Sequence, residues 1–219
     1  MKNKIMTVDL FKKEVGIHIT TQHNGKMSGM QSLSTSCMTN KYCKAYSKDP
    51  CKVCSKCYAQ TQMKMFKNMN LCFSKNADIL TNRILTMNEM PMINASLFRF
   101  EAFGDLHNET QLINYFNICK ANKQTHFALW TKNSFIVDSV IKQGYKKPKN
   151  LNIVLSSHYL NQLCDYERYD WVDRVFTVYT KDFAENNAID INCGSKSCLS
   201  CKKCYIKSKK HFLINELLK

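Results

Sequence analysis

Residues 126–155, HFALWTKNSFIVDSVIKQGYKKPKNLNIVL, decide the fold class of this chain. Two unbroken apolar runs, residues 126–130 and 151–155, flank a segment with apolar side chains at the spacing of one helix face. These side chains are Ile136, Val137, Val140 and Ile141. Asn133 precedes the segment as a candidate N-cap, and Gly144 follows it as a helix stop. A helix between two apolar strands predicts parallel strands covered by helices.

The same alternation extends in both directions along the chain. Residues 96–100 and 174–179 are predicted strands, and residues 109–121 a helix. Residues 30–35 add a candidate first strand. Weaker patterns predict a short strand at residues 16–20, a helical region from 58 to about 86 and a short helix at 159–166. We therefore expect one α/β domain over residues 1–219, a partial parallel (βα) barrel of five to six strands with its βα repeats at residues 96–181.

Polar groups stand where each predicted strand ends. They are Cys37, Glu101, Gly104, Asp105, Thr131, Lys132, Ser156, Ser157, His158, Thr180 and Lys181. Parallel α/β folds bind ligands at this edge of the sheet, so these side chains are candidates for a shared site. The alternative is that polar residues simply terminate strands, or that the carboxylates pair with some of the many lysines.

Nine of the twelve cysteines fall into two groups, in an N-terminal loop at residues 24–59 and a C-terminal run at residues 193–205. The first group is Cys37, Cys43, Cys51, Cys54 and Cys57; the second is Cys193, Cys198, Cys201 and Cys204. Zinc ribbons separate two Cys-x2-Cys pairs by about 15–20 residues. The packed C-terminal run instead follows the first spacings of plant-type ferredoxins. We expect an iron–sulfur cluster in at least one group, with zinc in both, or free thiols, as the alternatives. The isolated Cys72, Cys119 and Cys164 are predicted core residues.

The chain is basic, with 32 Lys plus Arg against 17 Asp plus Glu and a net charge of +15. Nucleic acid or a nucleotide is therefore the first candidate for an anionic partner. Only four of the basic residues are arginine, a skew that an AT-rich genome also produces without any function. No apolar run approaches the roughly 18 residues of a membrane span, and the first 16 residues make a poor signal peptide. We expect a cytoplasmic protein without a membrane contact.

An ordered series of short motifs resembles a phage family called gene product eighty-eight. The series begins with NGK-x-x-G at residue 24, Ser-Leu-Ser-x-x-Cys at residue 32 and a cysteine-rich loop closing in Cys57-Tyr-Ala. It continues through Arg99 into Gly-Asp, then Trp-Thr-Lys and Val-Tyr-Thr-Lys, to the C-terminal Cys-x2-Cys-x2-Cys. The resemblance spans roughly residues 24 to 205 and implies a phage or prophage origin.

A broader likeness is to radical S-adenosylmethionine enzymes, which place three cysteines after the first strand of a partial barrel and a Gly-rich motif after the second. Cys57-Tyr58 and Phe103-Gly104-Asp105 resemble these features, although the usual Cys-x3-Cys-x2-Cys is absent. The likeness implies a [4Fe–4S] cluster held by three cysteines, with Cys37, Cys54 and Cys57 the first choice and Cys43 and Cys51 next. The C-terminal group would hold a second cluster or a structural zinc.

The same likeness implies roles at the strand edge. Glu101, Lys132 and Lys181 are the candidate catalytic residues. The candidate cofactor contacts are Gly104, Asp105, Ser156 and Tyr58. Gly104 and Asp105 would hold the amino group of S-adenosylmethionine, with Lys132, Ser156 and Lys181 on the substrate side. Such an enzyme needs an electron donor and here takes an anionic substrate. The alternative from another class is a non-catalytic, zinc-stapled basic protein that binds nucleic acid or a host factor.

Overall fold

The computed structural model describes residues 16–194, 197–208 and 212–218. Its centre is an open sheet of six parallel strands in sequence order. The strands are β1 (Gln31–Leu33), β2 (Leu97–Phe100), β3 (His126–Thr131), β4 (Leu151–Ser156), β5 (Arg174–Tyr179) and β6 (Leu213–Leu217). The helices are α1 (Lys41–Tyr46), α2 (Tyr58–Met65), α3 (Lys67–Asn82), α4 (Glu109–Ala121), α5 (Ser134–Lys142), α6 (Lys181–Asn186) and α7 (Cys198–Cys201). The expected mixed α/β class with a parallel sheet is confirmed.

One face of the sheet, here called the outer face, packs against helices. Alternate side chains such as Phe98, Phe127 and Ile153 are fully buried there in the main core, together with Phe116 of α4 and Val137 of α5. Successive side chains of a strand point to opposite faces, so the residues between them belong to the other face. The main core therefore lies entirely on one side of the sheet.

On the opposite, inner face, the C-terminal cysteine segment packs against the first half of strands β2–β5. Asn152 Nδ2 donates to the Cys204 carbonyl oxygen at 3.2 Å, and Arg174 Nε donates to the Lys203 carbonyl oxygen at 3.0 Å. Leu97 and Ala128 pack with Tyr205 in a small second core. The C-terminal cysteines are thereby held against the sheet rather than in a free tail.

Four predicted strands and the helix at residues 109–121 agree with the structure to within a residue at each end. Asn133 does precede α5, but its side chain makes no cap hydrogen bond to the helix. Its Nδ2 lies 3.4 Å from the Leu106 carbonyl oxygen instead. The candidate first strand at residues 30–35 is present and shorter. The expectation about a signal peptide concerns residues that lie outside the described ranges, apart from Gly16.

The predicted helical region at 58–86 is confirmed as far as Asn82, as two helices, because Phe66 leaves helical geometry between them at φ −108° and ψ 84°. Other predictions were wrong. Residues 159–166 form no helix; Tyr159 makes an isolated bridge to Lys52, and a turn follows with Asn161 at φ 62°. Residues 16–20 contribute one isolated bridge, at Thr20. Strand β6 was not predicted at all.

The N-terminal cysteine stretch, expected to be a loop, contains α1 and a 3-10 turn at Val53–Lys56. Asn40 caps α1 by accepting hydrogen bonds from the backbone N–H groups of Tyr42 and Cys43. Its own Nδ2 donates to the Asp105 and Leu106 carbonyl oxygens at 2.8 and 3.1 Å. This one side chain therefore starts the helix and ties the cysteine loop to the segment after β2.

Candidate functional site

Cys37 and Cys57 form the centre of the first cysteine cluster. Cys37 follows β1 and is buried, and Cys57 is the residue before α2. Interaction with Cys37 lowers the pKa of Cys57 to about 6, and backbone N–H groups of Ala59 and Gln60 act in the same direction. The Cys37 sulfur also lies 3.4 Å from Met63 Sδ. A thiolate at the start of a helix is stabilised by such backbone N–H groups. Cys57 is therefore the thiol of this pair whose pKa is lowered, whereas that of Cys37 is raised.

Cys43 and Cys54 complete this group electrostatically. Burial raises the pKa of Cys43, and the charges of Cys54 and Cys57 raise it further. We call Cys37, Cys43, Cys54 and Cys57 the first cluster. Cys51 stands apart from it, exposed, with its backbone N–H donated to Asp49 Oδ1 at 3.0 Å. The structure thus separates four of the five predicted ligands from the fifth.

The second cluster comprises Cys193, Cys198, Cys201 and Cys204, whose charges act on one another. Burial is the main cause that raises the pKa of Cys204, to about 12. Lys26 Nζ lies 3.6 Å from the Cys193 sulfur and 2.6 Å from Glu216 Oε1. Four thiols beside a lysine are a donor set that suits zinc or an iron–sulfur cluster.

Among the described residues, no three His, Cys, Asp or Glu side chains are close enough, as placed, to hold a metal ion. The thiols of each cluster are within electrostatic reach of each other rather than in ligand geometry. The predicted loops therefore supply the right donor chemistry in two separate places, and metal binding by them stays a prediction.

Asp105 is the best-connected acid of the strand edge. Its Oδ1 accepts from the Thr131 hydroxyl at 2.5 Å and from Leu106 N–H at 2.8 Å, and its Oδ2 accepts from Lys132 N–H at 2.9 Å. The residue is 6% exposed, and burial raises the pKa of its carboxyl while the charge of Lys132 opposes the rise. The carboxylate joins the ends of β2 and β3. Among the described residues, Lys132 N–H alone donates to Oδ2, so this oxygen can accept a further hydrogen bond.

Glu101 is buried in a network of protein donors. Its carboxylate accepts from Thr35 Oγ1 at 2.8 Å, Gln111 Nε2 at 2.6 Å and the Tyr115 hydroxyl at 2.5 Å, and from Thr35 N–H at 3.2 Å. Burial raises the pKa of Glu101 to about 8, and these hydrogen bonds only partly oppose it. The predicted catalytic carboxyl thus joins the end of β1, the end of β2 and α4, with three of its four hydrogen bonds on Oε1 and one on Oε2.

Gly104 is required by close packing. A Cβ at this position would collide with the Thr35 carbonyl oxygen and with Glu101 Oε2. The glycine lets the segment after β2 pass directly over the end of β1. It brings Asp105 beside Lys132, which is the contact the strand-edge prediction required.

Of the other predicted site residues, some lie near the first cluster and others lie away from it. Lys132 lies beside the first cluster, where its charge acts on Cys54 and Cys57. Ser156 is buried at the end of β4, and by alternation it lies on the inner face. The Tyr58 ring is 57% exposed, while its hydroxyl is enclosed and donates to the Ala102 carbonyl oxygen at 2.5 Å. Lys181 is exposed and faces Glu185 at 3.8 Å.

Two residues that were not predicted as part of the site, Tyr42 and Tyr46, belong to this edge. Tyr42 donates its hydroxyl to the Lys132 carbonyl oxygen at 2.9 Å, and the Tyr46 ring stacks between Tyr42 and His158 with centroids 4.2 and 4.7 Å away. Burial lowers the pKa of His158 to about 4, and the charge of Lys132 adds to this. The Tyr42 and Tyr46 pair in KYCKAY, with helical spacing, was the available signal.

No helix in the described ranges is long and apolar enough to cross a membrane. Comparison of the chain with protein-family models, with curated proteins and with solved structures finds no match.

Proposed function

We propose that this chain is an iron–sulfur protein and an enzyme of the radical S-adenosylmethionine type, acting on an anionic substrate. One observation carries the proposal: four thiols lie within electrostatic reach of one another at the carboxyl edge of a parallel sheet, where the charges of Asp105 and Lys132 also act on them. In this reading the cluster ligands come from Cys37, Cys43, Cys54 and Cys57. The exposed Cys51 is not a ligand.

The architecture supports the same proposal. The parallel strands follow one another in sequence order, and the main core lies on one face of the sheet. The wall of a partial barrel has both features, and the resemblance to radical S-adenosylmethionine enzymes implies such a barrel. Its concave side would be the inner face, which ends at the first cluster. Ligands of parallel α/β folds bind at this edge.

The first cluster, loaded with a [4Fe–4S] group, would supply the electron that cleaves S-adenosylmethionine. The protein's own residues bind and orient. Asp105, fixed by Thr131 and by Lys132 N–H, presents the remaining face of Oδ2 to an ammonium group. Gly104 makes room for that placement. The Lys132 side chain stands at the same edge and would meet an anionic group of the substrate.

Glu101 is assigned a positioning role rather than proton transfer, because four hydrogen bonds from protein donors already hold its carboxylate. Lys181 is assigned no role in the reaction, since it is exposed and faces Glu185. The second cluster would hold an auxiliary iron–sulfur cluster or a structural zinc. A phage or prophage origin, a cytoplasmic location and an electron donor belong to the same proposal.

The test is addition of S-adenosylmethionine to protein purified without oxygen. A brown protein whose visible spectrum shifts on addition, and which forms 5′-deoxyadenosine when reduced, supports the proposal. A colourless protein with about two zinc ions per chain contradicts it. That result would favour the zinc-stapled binding protein, for which the four thiols of the second cluster beside Lys26 are the supporting observation.

A further inference from the structure

Two arginines point from the strands to the inner face, and they are used differently. Arg174 on β5 donates to three carbonyl oxygens, those of Asp173, Lys203 and Ile206, at 2.5 to 3.0 Å. Its guanidinium is committed to holding the C-terminal segment on the sheet. Arg174 is therefore a structural residue.

Arg99 on β2 has no such partners. Within the described part of the chain its guanidinium donates to no oxygen atom; Nη1 lies 3.5 Å from Met27 Sδ, and Nε is buried without a hydrogen-bond partner. A guanidinium carries five N–H donors and remains charged under all ordinary conditions. Arg99 is half-buried, and burying Nε without an acceptor is unfavourable, so the position suits an anionic partner.

The surroundings hold the Arg99 side chain in place. Its guanidinium carbon lies 3.9 Å from the centroid of the Trp130 ring, so the guanidinium sits over that ring in a cation–π contact. Two neighbouring basic side chains are less available to an incoming anion. Lys26 is paired with Glu216 at 2.6 Å. Burial, and then the charge of Arg99, lower the pKa of His23 and so disfavour its charged form.

The charge of Arg99 reaches both ends of this region. It acts on the Tyr58 hydroxyl, next to the first cluster, and on the Cys198 and Cys204 thiols of the second. A molecule bound on the inner face at the carboxyl edge of the sheet would have the first cluster at one end and Arg99 at the other. A planar fork in this position matches the geometry of a carboxylate or phosphate.

We propose that Arg99, oriented by Trp130, is the anchor for an oxyanion of the ligand that occupies the inner face, either a carboxylate or a phosphate. The inference rests on the proposed function in that it names where the anionic substrate is held. The anion site does not depend on which metal the cysteines bind, so the experiment on Arg99 can fail while the proposed function holds, and the reverse.

The test is isothermal titration calorimetry on the full chain with its metal in place, using inorganic phosphate and acetate as probes at constant ionic strength. Arg99→Gln is compared with Arg168→Gln, which removes the same charge from an exposed arginine 5.7 Å from the Tyr169 ring. We expect wild type and Arg168→Gln to bind one probe equally and Arg99→Gln to bind it at least tenfold more weakly. The preferred probe identifies the oxyanion.

Arg99→Lys covers the case in which Arg99→Gln does not fold, because lysine keeps the charge but not the fork. It should weaken binding severalfold. Equal affinity in the Arg99 variants, or binding of neither probe to wild type, overturns the proposal. The proposal is also overturned if the Arg99 variants lose metal from the second cluster while their anion affinity is unchanged. That result would make Arg99 a partner of the thiolates.

Discussion

Replacing Asp105 with alanine removes the acceptor that joins the ends of β2 and β3. The Thr131 hydroxyl, Leu106 N–H and Lys132 N–H would lose their partner in a site where Asp105 is 6% exposed. Hydrogen bonds to a charged group contribute about 1.5–3 kcal/mol each. Removing the carboxylate also relieves its own burial, which raises its pKa and offsets part of the loss. We expect the free energy of unfolding to fall by about 2–4 kcal/mol.

The assay is urea unfolding followed by circular dichroism, with Asp138→Ala as the matched control. Asp138 loses only an i,i+4 ion pair with Lys142 on the surface of α5, and such pairs contribute about 0.3–0.5 kcal/mol. A loss below about 1 kcal/mol in Asp105→Ala would refute the reasoning that its carboxylate supports the strand ends. Affinity for S-adenosylmethionine must then be measured on the folded fraction, because destabilisation alone would lower the apparent affinity.

Two further predictions concern Gly104 and His107. Gly104→Ala should lower the free energy of unfolding in urea by about 1–3 kcal/mol, because its Cβ would collide with the Thr35 carbonyl oxygen. In the control Gly194→Ala the new Cβ meets nothing within 4 Å, so the change should stay within about 0.5 kcal/mol. Equal effects of the two substitutions would contradict the packing argument. Burial lowers the pKa of His107 from 6.5 to about 4, although Ser36 and Asp78 partly oppose the shift. Between pH 4 and pH 6.5 the unfolded chain therefore binds more protons than the folded chain. Stability should therefore be lost as the pH falls from 6.5 to 4, by at most about 3 kcal/mol, and His107→Gln should reduce that loss; an unchanged pH dependence of the unfolding midpoint would argue against it.

The strand and helix positions on the outer face could be predicted because apolar periodicity reports one buried side. Residues 126–155 carry that signal twice as strands and once as a helix. Strand β6 escaped because it is a five-residue edge strand, LINEL, whose interior includes Asn215 and Glu216. The break at Phe66 escaped because the helical spacing of the apolar residues runs through it without interruption.

The part of the candidate site that lies at strand ends could be predicted, because the sequence shows where the strands end. Asp105 and Lys132 meet because β2 and β3 are neighbours and parallel, which the alternation of elements implies. The exclusion of Cys51 was not predictable, because it depends on Asn40 starting α1 and on the turn that follows. The Glu101 network depends on Gln111 and Tyr115, two polar residues on a helix face that sequence periodicity assigns to the core.

Metal analysis decides between an iron–sulfur protein and a zinc protein: iron, acid-labile sulfide and zinc per chain are measured on protein purified without oxygen, in wild type, Cys57→Ser and Cys51→Ser. We predict iron and sulfide in wild type, their loss from the first cluster in Cys57→Ser, and wild-type content in Cys51→Ser, whose thiol lies outside that cluster. Zinc alone in wild type, or equal iron loss in the two variants, would contradict this prediction.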